Sequence, residues 1–132
     1  MSITVQVAAV GLGVLVGIAA AQSGVFSEEQ AKHGLTLVHA KCGACHGDDL
    51  EGGTESPPLK GDAFWSEWDQ KTARALYSRI ITTMPPDSPG SLTEKEVIDI
   101  VAYIVHSNGV PSGSMPIQAA NELNSIKLVR PK

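Results

Sequence analysis

Cys42-Gly43-Ala44-Cys45-His46 sets two thiols three positions apart, with an imidazole directly after the second. At that spacing the sulfurs can reach the two vinyl-bearing edges of one haem while the histidine approaches the iron axially. The chain has only 2 cysteines, so the motif uses every thiol available. A Cys-x-x-Cys pair also occurs as a redox dithiol or as half of a zinc site. The dithiol asks for a βαβ setting and the zinc site for a second close ligand pair, whereas the other histidines, His33, His39 and His106, are scattered. One covalently bound haem c is therefore expected, with Cys42 and Cys45 as its anchors and His46 as an iron ligand.

A second axial ligand has to come from farther along the chain. Met84 is the best placed: Ile81-Thr82-Thr83-Met84-Pro85-Pro86 puts its thioether after an amphipathic run and before rigid backbone. Met115, in Gly113-Ser114-Met115-Pro116, has a weaker scaffold, and His33, His39 and His106 read as surface or packing residues. Asp48, Asp49 and Glu51 read as a solvated acidic loop. Trp65 is a candidate for packing on the haem, with plain aromatic core as the alternative for it and for Trp68.

The elements that must hold these groups are helical. Ser27-Glu28-Glu29-Gln30 can form a capping box, and Ala31, Leu35, Val38 and Cys42 then recur at helical spacing, so a first helix ends close to the cysteines. Residues 43–63 are rich in glycine and proline and read as a long loop wrapped around an organising object. A second helix is expected from about Asp69 to Thr82, stopped by Pro85-Pro86. A third follows the possible capping box Thr93-Glu94-Lys95-Glu96, presents Val97, Ile98, Val101, Ile104 and Val105, and stops at Asn108-Gly109. Beyond it, Ala119 to Val129 is either a short helix or a strap anchored by Leu123, Ile126 and Leu128. No alternating strand pattern of useful length occurs after the N-terminal segment, so the fold class is all-α.

Of the 132 residues, the first 21 carry no charge and 15 of them are apolar. Ala19-Ala20-Ala21 fits the small-x-small rule for a cleaved export signal, although the usual basic n-region is missing. The 19 residues Ile3 to Ala21 also approach the length of a membrane anchor. The expected organisation is thus a signal peptide or uncleaved anchor over 1–21, a haem domain over 22–109 and a C-terminal extension over 110–132 packed on the domain or on a partner. Either reading of 1–21 puts the domain in the periplasm, with membrane contact only if that segment is retained. Ten Lys and Arg against 14 Asp and Glu give a formal charge of -4, which argues against a nucleic-acid-binding stripe.

On these residues the chain resembles a small class I cytochrome c over roughly residues 27–109. Cys42, Cys45 and His46 match the family's haem motif, and Met84 its distal-ligand position. Ser56-Pro57-Pro58-Leu59-Lys60-Gly61 resembles the family's Gly-Pro-x-Leu-x-Gly segment, departing from it at Ser56. The resemblance implies that the Pro57 carbonyl accepts the proton of the non-ligating His46 nitrogen, and that Gly34 and Tyr103 lie where the terminal helices cross. The segments 61–68, 82–85 and 89–92 are further similar to cytochrome c units that accompany bacterial periplasmic quinoprotein or other dehydrogenases.

The implied fold is helices and loops wrapped around one covalent haem. The implied function is single-electron relay between a dehydrogenase and a downstream acceptor such as a terminal oxidase, with no bond-making catalysis by the domain itself. The competing reading is a haem-based ligand sensor or small peroxidase-like enzyme, which requires labile Met84 ligation; the sequence offers no clearly placed distal His-Arg pair for peroxide chemistry.

Overall fold

The computed structural model describes residues 24–132. The export or anchor segment read over residues 1–21 lies outside them. Five α-helices follow in chain order: α1 (Glu28–Lys41), α2 (Gly43–His46), α3 (Gly61–Trp68), α4 (Ala73–Thr83) and α5 (Glu94–Ser107), with a 3-10 turn over Ala120–Ser125. Among the described residues the only β-type pairings are isolated bridges, Ser27 with Gly113 and Thr72 with Lys127. The fold is all-α.

The crossing of α1 and α5 is the main packing contact. Gly34 makes it possible: a Cβ there would overlap the backbone carbonyl of Asp99 and crowd Tyr103 Cβ. Both helices begin with caps. The Ser27 side chain accepts from the Gln30 backbone N–H, and Thr93 and Glu96 form a complete capping box. At the first cap the reciprocal half is missing, because the Gln30 side chain turns inward to Asp99 and Ile117. The end of α5 is a Schellman motif: Gly109, at φ 89°, donates to the His106 carbonyl, and Val110 donates to that of Val105.

Two segments depart from the sequence reading. The helix expected from Asp69 begins only at Ala73, capped by Thr72, whose hydroxyl accepts from the Ala75 N–H. Gln70 stands at φ 66°, which no helix continues through. The backbone groups at 70–73 instead pair with the C-terminal strap: the N–H groups of Gln70 and Ala73 bond the carbonyls of Leu128 and Ile126, and Leu128 N–H bonds that of Lys71. The stretch 43–63, read as loop throughout, contains α2 and the first residues of α3. Helix α3 is too short to declare a period, yet it buries Phe64, Trp65 and Trp68 on one side.

Residues 110–132 lie on the body. Ile117, Ala120, Leu123 and Leu128 are buried in the same hydrophobic cluster as Val38, Leu76, Ile98 and Ile104. The strap therefore shares the core with the helices, and each large aliphatic chain so buried contributes about 1.5–3 kcal/mol.

Candidate haem site

The motif residues sit on one tight turn continuous with α1. Cys42 closes α1 by donating to the Val38 carbonyl, and its own carbonyl accepts from both Cys45 and His46 at 3.1 and 2.9 Å. Helical spacing then puts Cys45 and His46 on the same side of the turn as Cys42, since residues three and four apart are neighbours. Gly47 reverses the chain at φ 80°, with the Glu51 carboxylate in the place its Cβ would take. Asp48, Asp49 and Glu51 are exposed, as a solvated acidic loop should be.

The chain returns beneath the histidine. Gly52 N–H donates to the His46 carbonyl at 2.7 Å, and Leu59 N–H to the Leu50 carbonyl at 2.9 Å. Leu50 holds φ 61° and is fully buried, a left-handed conformation that costs a leucine about 1–3 kcal/mol and is retained because the side chain anchors the loop in the core. That path brings the Pro57 carbonyl 2.9 Å from His46 Nδ1. His46 is buried, and Nε2 makes no hydrogen bond to protein among the described residues. With Nδ1 donating to a carbonyl, the tautomer left on Nε2 is the lone pair that a metal takes.

Cys42 and Cys45 are both free thiols, Cys42 half-buried and Cys45 exposed. Burial pushes the Cys42 thiol above its ordinary pKa; the Lys41 cation pulls the other way and Cys45 adds to the rise. Among the described residues no group of three His, Cys, Asp or Glu side chains gathers to hold a bare metal ion. The donor set thus fits a haem: two free thiols on one turn, followed by an imidazole oriented from behind.

Met84 is the C-cap of α4, its N–H donating to the Ile80 carbonyl at 2.9 Å, and it packs half-buried against the core cluster. Trp65 is buried edge-on against Phe64, with ring centroids 5.1 Å apart, and lines a small cleft with Lys60, Gly61, Asn108 and Arg130. Its aromatic-core role is visible in these contacts. The structure thus joins Cys42, Cys45, His46 and Pro57 in one connected unit, while Met84 and Trp65 stand on separate helices.

One residue that sequence reasoning treated only as a helix stop belongs to the same construction. Asn108 is buried at the end of α5; its Nδ2 donates to the carbonyls of Leu59 and Ile104 at 2.9 and 2.8 Å, and its Oδ1 accepts from Gly61 N–H at 2.9 Å. A helix-terminal asparagine has a local explanation as a cap, so nothing in the sequence pointed to partners 47 and 49 positions away.

An all-helical scaffold that presents a Cys-x-x-Cys-His turn with its histidine braced by a backbone carbonyl defines the class of c-type cytochromes. Residues 29–104 match the family model described as "Cytochrome C oxidase, cbb3-type, subunit III", and the chain belongs to that family of cytochrome c domains. Among solved structures, the crystal structure of the sulfane dehydrogenase SoxCD from Paracoccus pantotrophus is similar in fold, with a TM-score of 0.63 at 23% identity. The match covers 74% of this chain and 52% of that one, so the chain spans about half the length of the SoxCD polypeptide it resembles. A search of curated proteins finds no significant match. The protein is a class I c-type cytochrome whose cofactor is covalently bound haem c, and its general work is electron transfer.

Proposed function

We propose that this domain is a periplasmic single-electron carrier, or the electron-transfer subunit of an oxidoreductase complex, with His46 and Met84 as the axial ligands of its haem iron. The observation that carries the reading is the 2.9 Å approach of His46 Nδ1 to the Pro57 carbonyl, which leaves Nε2 as the donor. When bound, the haem supplies a ferric–ferrous couple. The protein's part is positional. Cys42 and Cys45 fix the macrocycle to the turn after α1, and Pro57 holds the imidazole and raises its donor strength. Met84, set at the end of α4 ahead of Pro85-Pro86, would be the second ligand, and a thioether there would exclude exogenous ligands and favour a relatively positive potential.

The partners in this reading are a donor dehydrogenase, a quinoprotein or another periplasmic enzyme, and an acceptor such as a terminal oxidase. The fold likeness to a chain of a sulfane dehydrogenase is in keeping with a dehydrogenase system. The uncharged, apolar residues 1–21 support export, with the domain free or tethered at the membrane.

The test is an optical spectrum of the exported protein, oxidised and reduced, followed by carbon monoxide on the reduced form. The expected result is a c-type haem spectrum, a weak far-red band from methionine on ferric iron, and no change with carbon monoxide. A prompt carbon monoxide shift with no far-red band would overturn Met84 ligation and move the protein to the gas-sensing or peroxidase-like class.

A further inference from the structure

We propose that Asn108 is a positioning residue for His46, holding the Pro57 carbonyl against the imidazole through the segment 57–61. The inference rests on the reading of His46 as an iron ligand. The hydrogen bond from His46 Nδ1 ends on a backbone carbonyl in a loop, and a loop carbonyl is only as fixed as the peptide planes beside it. Two residues downstream, the Leu59 carbonyl accepts from Asn108 Nδ2 and the Gly61 N–H donates to Asn108 Oδ1, both at 2.9 Å. Asn108 therefore grips the chain on both sides of Lys60. Its second Nδ2 proton goes to the Ile104 carbonyl at 2.8 Å, inside α5. Both amide protons face carbonyls and the amide oxygen faces an N–H, so the network admits one orientation of the side chain.

The grip is anchored on rigid structure. Asn108 lies between the last turn of α5 and the left-handed Gly109, whose Schellman bonds fix the helix end. Pro131 of the strap lies where a side chain on Gly109 would press, and Arg130 reaches back to Asp62 and Asp69 on the two ends of α3. Upstream of Pro57, the Ser56 carbonyl accepts from Gly53 N–H at 2.9 Å; downstream of it, Leu59 N–H bonds the Leu50 carbonyl at 2.9 Å. Removing the Asn108 amide leaves these two bonds in place and frees the Leu59 carbonyl and the Gly61 N–H, so the downstream side keeps one tie where it had three. The Pro57 carbonyl then samples positions farther from Nδ1, the imidazole becomes a weaker donor, and the ferric state loses stabilisation relative to the ferrous.

The experiment compares the holoprotein with its Asn108→Ala and Gln30→Ala variants. Gln30 is the control, because it too is a buried amide with three hydrogen bonds, none of them to residues 57–61. Two quantities are read: the solvent exchange rate of the His46 Nδ1 proton by NMR in the ferrous protein, and the midpoint potential. Asn108→Ala is expected to speed that exchange about tenfold and to raise the potential. Gln30→Ala is expected to leave the potential unchanged, and the exchange rate too once corrected for global stability. Equal effects in the two variants would overturn the proposal.

Should Asn108→Ala fail to fold, denaturant-dependent exchange in the wild type decides. The Gly61 amide and the His46 ring proton are expected to open in one event with one denaturant slope, and separate slopes overturn the link. A wild type that shows no histidine on the iron would sink the ligand reading and this inference with it. An intact wild type with a silent Asn108→Ala sinks this inference alone.

Discussion

The two ends of α5 are tied down by the same chemistry and to different things. Near its start the buried Gln30 amide, from α1, donates to Asp99 Oδ1 and the Ile117 carbonyl at 3.1 and 3.0 Å and accepts from Ile117 N–H at 2.9 Å. At its end the buried Asn108 amide makes three bonds of similar length to Leu59, Gly61 and Ile104. Each amide fastens a helix to a segment that has no regular hydrogen-bonding partner of its own. The first joins scaffold to scaffold, α1 to α5 to the strap, and Glu94 adds to it by accepting from Ala120 N–H. The second joins scaffold to the loop that carries the brace on His46. Damage at the first end should therefore appear as lost stability with an unaltered haem, and damage at the second as an altered haem.

The sharpest way to try that division is Gly34→Val. The new side chain would drive into the Asp99 carbonyl at the α1–α5 crossing, where backbone faces backbone and no flexible group can yield. A loss of about 3 kcal/mol is expected, read as a lower guanidinium midpoint, with the same haem spectrum in the folded fraction. Gln30→Ala comes next, at about 2 kcal/mol, because it strips the Ile117 peptide of both its partners and takes one donor from the Asp99 carboxylate, which is 2% exposed. Lys95 Nζ remains 2.8 Å from that carboxylate, which keeps the charge paired and limits the cost. A shifted midpoint potential in either variant would break the division between the two ends.

The helical class, the haem turn and the caps of α1 and α5 were legible because each rests on local spacing: Cys42-x-x-Cys45-His46, Ser27 before Gln30, Thr93 before Glu96. Gln30 marks where local reading stops. Its position invites a reciprocal cap, but Asp99 and Ile117, 69 and 87 residues away, offer it a buried site with three partners. Asn108 is the same lesson at the other end, a stop signal whose side chain serves residues far upstream. Helix α4 starts late for a related reason: the N–H groups of Gln70 and Ala73 have tertiary partners in the strap, which no periodicity encodes. The segment resembling the family's Pro-containing loop was recognisable despite Ser56. Its closure depends on Leu50 at positive φ and on Asn108, and neither carries a sequence signal.

The smallest effects should come from the capping box that starts α5. Thr93→Ala removes the hydroxyl that accepts from Glu96 N–H and is expected to cost about 1 kcal/mol, measured by chemical denaturation. The box also gives the scaffold end an acid limb. The Thr93 backbone N–H holds the Glu96 carboxyl below its ordinary pKa against a small opposing push from burial, and the Thr93 hydroxyl and the Lys41 cation help to hold it there. A carboxyl depressed in the folded state stabilises the fold above its unfolded pKa, and that contribution disappears as the pH falls through the folded value. Glu96→Gln should therefore be less stable than the wild type near neutral pH and converge with it below the ordinary glutamate range. The potential is expected to differ little between the two proteins at each pH, since the Glu96 carboxylate bonds Thr93 and its ion pair with Lys41 is a long one, at 3.8 Å. A potential that follows Glu96 would be carried by Lys41, which directly precedes Cys42, and would mean that charge at the scaffold end reaches the haem turn through α1, so that the separation of stability from haem tuning is incomplete.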